Sequence, residues 1–132
     1  HDTSSVLAQP LERASKMLQI SADTVVVGID EAQFFDAELP EICAQLALRG
    51  VRVIAAGLDM DYRGVPFGPM PQLLATAEYV TKVHAICVHC GNLATHSYRL
   101  ADGESVLLLG EKEHYEPRCR SCYQMGNILR LK

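Results

Sequence analysis

The sequence contains no tryptophan, and its aromatics amount to three Phe and five Tyr in 132 residues. Positive charge is scarce too: 12 Lys and Arg stand against 16 Asp and Glu, a net charge of −4. A general nucleic-acid binder needs a basic face with aromatics interleaved for stacking, and this chain has little of either. Long apolar runs are missing. The stretch from Val51 to Leu58 is already broken by Arg52, far short of the ~20 residues a membrane span needs. Residues 1–10 (HDTSSVLAQP) have no basic start, apolar stretch or small-residue cleavage site, so they do not read as a signal peptide. They also lack an initiating Met, and the expectation is the later part of a longer protein, or only its ordered part. What remains is 48% hydrophobic and 21% charged, the composition of a soluble globular domain. The length suits about one domain with a real core. Membrane residence and disorder are both excluded.

Cysteine is the one uncommon residue that is well supplied. Of five Cys, four form two Cys-x-x-Cys pairs, Cys87 with Cys90 and Cys119 with Cys122. Two short loops giving two thiolates each suit a tetrahedral Zn²⁺ ion, and four sulfurs leave no open position, so the metal would be structural. Gly91 after the first pair suits a knuckle turn. Two disulfides are the alternative. Without a secretory signal the thiols should stay reduced, in a cytoplasmic protein. A redox Cys-x-x-Cys would explain one pair only. His84, His89 and His114 lie near enough in sequence to substitute for a ligand. Cys43, inside a helical pattern, reads as a buried apolar residue.

Along the chain, 5–19 (SVLAQPLERASKMLQ) reads as a helix with Leu7, Leu11, Ala14 and Leu18 on one face. Residues 24–29 (TVVVGI) read as a strand buried on both faces. Residues 36–49 carry apolar side chains at helical spacing and stop at Gly50. Residues 51–56 form a second strand, making a parallel βαβ unit. The segment 57–72 (GLDMDYRGVPFGPMPQ) holds three Gly, three Pro and two aromatics without periodicity; loops of that length are usually functional. A short helix from Leu73 to Tyr79 and a strand from Val80 to Ile86 follow. Strands Ala94–Leu100 and Ser105–Leu109, turned at Asp102-Gly103, complete a hairpin. The expected organisation is an α/β part at 1–86, loop 57–72 included, and a zinc-bound β lobe at 87–132.

The stretch TVVVGIDEAQFF places Asp30 and Glu31 where a buried parallel strand ends. Ligands of open parallel sheets bind there, and this is the Walker B arrangement. One carboxylate can hold Mg²⁺ against nucleotide phosphates and its neighbour can accept a proton. The same letters also arise as an acidic helix start. The companion motif G-x-x-x-x-G-K-[ST] is absent, which argues either against a nucleotide site or for a preceding segment.

The segments DEAQFF (30–35), GLDMDYRGVPFG (57–68), CVHC (87–90), YRL (98–100) and CRSC (119–122) occur in this order, and at about this spacing, in the cellular type II thymidine kinases. The resemblance covers nearly all of the chain. It implies an α/β fold, a P-loop NTPase-like (RecA-like) parallel sheet with a small four-cysteine zinc-ribbon β lobe, the P-loop lying before residue 1. It also implies transfer of the ATP γ-phosphate to the 5′-hydroxyl of thymidine, and of deoxyuridine. Asp30 would hold Mg²⁺ and Glu31 would be the base. Asp30, Glu31, Ala32 and Gln33 would form the cofactor segment. Phe34 would pack on the base. Loop 57–72 would be the lasso over the thymine, with Leu58, Tyr62 and Phe67 lining the pocket; Tyr62 stands where Phe is commoner. Ser97, Arg99, Val106, Leu108 and Gly110 would lie near base and sugar, and Tyr115 against the deoxyribose. Cys87, Cys90, Cys119 and Cys122 would bind zinc. A homotetramer is implied, with neither nucleic acid nor membrane as partner. The competing readings are a non-catalytic zinc-ribbon module, disfavoured by charge and aromatic content, and another P-loop ATPase, which the loop and the Cys pairs do not fit.

Overall fold

The computed structural model describes residues 7–100 and 114–131. The chain divides into two units. The first holds residues 1–57 and 68–76; the second holds 58–67 and 77–132.

In the first unit β1 (Val26–Ile29) and β2 (Arg52–Ala55) pair in parallel, with Val26 opposite Arg52 and Ile29 opposite Ala55. Parallel neighbours need a crossover, and α1 (Leu39–Leu48) supplies it. Pro40 in its first turn costs no hydrogen bond there. Leu39, Ile42 and Leu46 bury one stripe. Leu39 and Leu46 are fully inside, worth roughly 1.5–3 kcal/mol each by area. Gly50, at φ 85, ends the helix, its N–H donating to Ala47 O at 2.9 Å. The core adds Ala14, Met17, Ile29, Val51, Met70 and Leu73, with half-buried Cys43 packed against it.

The helix expected over 5–19 is shorter and tighter. Among the described residues only Ala14–Gln19 is helical, as a 3-10 turn. Pro10 removes a donor upstream, Arg13 is extended and offers no side-chain cap, and Asp36 Oδ2 accepts from Ala14 N at 3.3 Å instead. The helix expected from Leu73 begins earlier, as α2 (Met70–Thr76), because Pro71 fits a first turn.

In the second unit β3 (Ala85–Ile86) pairs antiparallel with β4 (Leu93–Ala94), and β5 (His96–Arg99) with β6 (Tyr115–Arg118). The strand expected over 80–86 survives only as β3, because its partner β4 is two residues long. The expected strand Ser105–Leu109 and its turn lie outside the described residues. A helix that the apolar pattern did not announce closes the unit, α3 (Arg120–Arg130). The excursion 58–67 is braced internally. Met60 and Pro66 form an antiparallel bridge, Asp61 N donates to Val65 O at 2.9 Å, and Phe67 N donates to Asp59 O at 2.9 Å.

The architecture is thus mixed helix and strand with small parallel and antiparallel sheets. No helix among the described residues is long and apolar enough to cross a membrane.

Candidate functional site

β1 ends at Ile29, and the next residues carry the acids. The ladder runs one step past the strands: Ala56 N donates to Ile29 O and Ala32 N to Ala56 O, both at 2.9 Å. Between those two bonds Asp30 and Glu31 must bulge outward, and both are exposed. Glu31 takes φ 51, ψ 46, a left-handed conformation uncommon outside glycine and costing about 1 kcal/mol or more. Such strain persists only where surrounding bonds enforce it. Asp30 Oδ1 accepts from Glu31 N at 2.9 Å, and Gln33 Nε2 donates to Glu31 Oε2 at 2.5 Å.

Gln33 is almost fully buried, so its amide is a fixed donor rather than a mobile one. Two glycines make room for it. A Cβ on Gly57 would lie 2.7 Å from Gln33 Oε1, and one on Gly68, at φ 49, would lie 2.4 Å from Gln33 O. These two glycines, both in the first unit, therefore close on the residue that holds Glu31. Ala32 is buried beneath. Phe34 is 72% exposed, whereas Phe35 packs into the core. One carboxylate at a strand end, with room for water and phosphate oxygens, is a donor set that suits Mg²⁺.

The second unit gathers others of the sequence-predicted residues. β5 turns Ser97 and Arg99 to one face and His96 and Tyr98 to the other, by the two-residue period of a strand. Arg99 is paired with Tyr115 across the ladder. Its guanidinium lies 4.7 Å from the centroid of Tyr62, and Tyr62 and Tyr115 are 6.5 Å apart. Tyr62, Arg99 and Tyr115 thus form one aromatic-cationic cluster, with Ser97 two residues along the same strand. Leu58 and Phe67 belong to the excursion, the first half-exposed and the second half-buried. Val106, Leu108 and Gly110 lie outside the described residues. Asp59 pairs with Lys82, outside the loop, at 2.9 Å, and Asp61 accepts from the N–H of Arg63 and of Val65 within it.

The four paired cysteines converge. Their sulfurs all lie within 4.8 Å of one another, and none forms a disulfide. Tetrahedral Zn²⁺ with bonds of about 2.3 Å sets sulfurs about 3.8 Å apart, so these residues fit the ion. The first knuckle is shaped by Cys87 N donating to Asn92 O at 2.7 Å and Gly91 N to Cys87 O at 3.0 Å. In the second, Cys119 caps α3, its sulfur accepting from Cys122 N at 3.5 Å. Burial pushes the Cys87 thiol up, but hydrogen bonds from the backbone at Cys119, Cys90 and His89 outweigh it and bring it to about 6. The Cys122 thiol, bonded to Cys119 and half-buried, is pushed up to about 12. One sulfur ionises readily while its neighbour resists a second negative charge. A dication at the centre removes that conflict. His89 pairs with Glu116 at 3.1 Å and is not among the clustered ligands.

Sequence reasoning missed the polar frame beside this cluster. Arg118 Nε donates to Glu116 Oε1 at 2.7 Å and Nη1 to Cys122 O at 3.2 Å, while its guanidinium lies 3.5 Å from the centroid of Tyr98. It missed Tyr123 as well. An aromatic directly after a Cys pair was the only available signal.

A family profile described as "Thymidine kinase" matches residues 1–123. A thymidine kinase of Bacteroides fragilis (strain YCH46) is 56% identical over 124 residues, covering 94% of this chain and 62% of that relative. One from Porphyromonas gingivalis (strain W83) is 52% identical over 94% of this chain and 61% of the relative. One from Rhodothermus sp. is 53% identical over 94% and 58%. The chain therefore spans about three fifths of the length of the curated relatives it matches. With a profile match over nearly its whole length, this chain belongs to the thymidine kinase family.

Proposed function

We propose that the protein carrying this chain transfers the γ-phosphoryl group of ATP to the 5′-hydroxyl of thymidine, and of deoxyuridine. The observation that carries the reading is the acid pair at the end of β1, strained at Glu31 and tied by Gln33, in a chain of this family. Phosphoryl transfer asks for positioning and charge neutralisation rather than covalent help from the protein. Glu31 accepts the proton of the attacking hydroxyl, and Gln33 keeps that carboxylate in place. Asp30 holds Mg²⁺, which would neutralise charge on the phosphates. Ala32 and Gln33 support the cofactor side. Phe34 meets the base. Leu58, Tyr62 and Phe67 line the pocket, and Ser97, Arg99 and Tyr115 hold base and sugar, joined by Val106, Leu108 and Gly110. Zinc at the four cysteines fixes the elements bearing Arg99 and Tyr115. The whole protein has a RecA-like sheet, divides at residue 86 between nucleotide-binding part and zinc lobe, assembles as a tetramer and works in the cytoplasm.

The test is Glu31→Gln in the full-length protein. The amide keeps the shape but cannot take a proton. Turnover should fall roughly 10²-fold or more, with thymidine binding kept. Near-normal turnover would exclude Glu31 as the base.

A further inference from the structure

Tyr123 is buried in the first turn of α3, immediately after the last clustered cysteine. Its hydroxyl donates to Tyr62 O at 2.6 Å, across 61 residues of sequence. Its ring stacks on His96 with centroids 4.5 Å apart and meets Tyr98 edge-on at 6.3 Å. The same hydroxyl lies 3.5 Å, and His96 Cδ2 3.7 Å, from where a Cβ on Gly64 would be. One rigid side chain therefore holds the tip of the loop 58–67 by a hydrogen bond at residue 62 and fills the space beside Gly64 that a larger residue would need.

We propose that Tyr123 is a positioning residue for the nucleoside site: it fixes the tip of the loop 58–67 and, through the Tyr62 carbonyl, the placement of the Tyr62 ring under Arg99. The proposal rests on the reading that this loop covers the nucleoside. The Tyr62 ring is set by Arg99 at 4.7 Å and by Tyr115 at 6.5 Å between centroids, and its backbone by Tyr123. Losing the backbone anchor leaves the ring able to swing with the loop. Tyr123 N donates in turn to Cys119 O at 2.9 Å, so the hydroxyl is carried by the turn that presents the metal ligands. The loop's internal bonds do not replace this anchor. Asp61 and Arg63 bond each other within the loop, and the Asp59–Lys82 pair holds its base rather than its tip.

The experiment is Tyr123→Phe in the full-length protein, which deletes one oxygen and keeps the ring stack. Three measurements are made on it. The first is the rate of tryptic cleavage after the exposed Arg63, identified by mass spectrometry. The second is steady-state kinetics with thymidine and with ATP. The third is bound zinc per chain. A lost neutral hydrogen bond changes an equilibrium by roughly three- to tenfold, and cleavage follows the open population. Cleavage should therefore rise roughly three- to tenfold, and thymidine KM by a similar factor. The kcat, the ATP KM and the zinc content should stay within about twofold of the unsubstituted protein. Unchanged cleavage overturns the proposal. So does loss of zinc or an equal fall in kcat for every substrate, since either would make Tyr123 a general structural residue. If the unsubstituted protein does not phosphorylate thymidine while the variant is still cut faster, the anchor stands and the nucleoside reading fails.

Discussion

Replacing Gly126 by alanine sets two effects of opposite sign against each other. In a helix interior alanine is favoured over glycine by about 1 kcal/mol, so on propensity alone α3 gains. The packing says otherwise. The new Cβ would lie 2.2 Å from Arg118 Nη1, 2.6 Å from Tyr98 Cε2 and 2.9 Å from Tyr98 Cζ. Carbon contacts are comfortable near about 3.5–4.0 Å, so the Tyr98 ring must retreat by about 1 Å. That ring is buried, its hydroxyl donates to Gly126 O at 3.3 Å, and two guanidinium groups cover it. Arg118 cannot move without loosening its bonds to Glu116 and Cys122 O. Overpacking of this kind costs about 1–3 kcal/mol, and the disturbed cation–π contact adds about 0.5–1 kcal/mol. After the propensity gain the net loss is about 0.5–3 kcal/mol. All five tyrosines of the chain lie in the second unit and there is no tryptophan, so near-ultraviolet circular dichroism follows that unit. Its melting transition should fall by roughly 2–20 °C. Gln124→Ala, on the exposed side of the same helix, should leave it unchanged or slightly raised. A Gly126→Ala protein as stable as the Gln124→Ala control would refute the steric reasoning.

Cys119→Ser removes both a metal ligand and the cap of α3. Bound zinc should be lost together with the tyrosine signal, and thymidine titrations should fail while ATP still binds to the full-length protein; retained zinc with unchanged thymidine affinity would contradict the assignment. Burial pushes the Glu116 carboxyl up, but hydrogen bonds from Arg118 and His89 outweigh it and hold it below its ordinary 4.5. A depressed carboxyl stabilises the fold above its unfolded value, and that contribution disappears as pH falls through the folded one. The stability gap between the unsubstituted protein and Glu116→Gln should thus be full near neutrality and close below about pH 4.5. A gap that persists in acid would show that the charge of Glu116 is not what matters.

The strand–helix–strand part was legible because each element there follows one period. β1 is a β-branched run, although the expected burial on both faces fails, since Val26 and Gly28 are exposed among the described residues, and α1 has a clean apolar stripe ended by glycine. The Cys pairs were legible as spacing, and the structure brings the four sulfurs together. Other elements depend on partners that spacing cannot reveal. Arg120–Arg130 is amphipathic, with Cys122, Tyr123 and Gly126 at helical spacing, but the glycine inside it and the cysteine pair at its start masked that pattern; its start is set by a cysteine sulfur acting as cap. Residues 80–84 have the composition of a strand, but the partner they would need in this unit is two residues long. Glu31 read as an acid in a motif, while its left-handed backbone and its tie to a buried glutamine came only from three-dimensional closure at Gly57 and Gly68. Tyr123 was not singled out at all, because its acceptor is 61 residues away.

The second unit is assembled from two separate pieces of chain, 58–67 and 77–132. A ribosome delivers them in that order, at about 5–20 residues per second. Residue 62 therefore emerges with every anchor but its own loop bonds still to be made. Some 61 further residues must follow before the hydroxyl that holds its carbonyl is synthesised, a wait of roughly 3–12 s at that rate. By then the stretch 68–76 is already available to the first unit. The loop 58–67 is thus secured at residue 62 only after the second cysteine pair has been made.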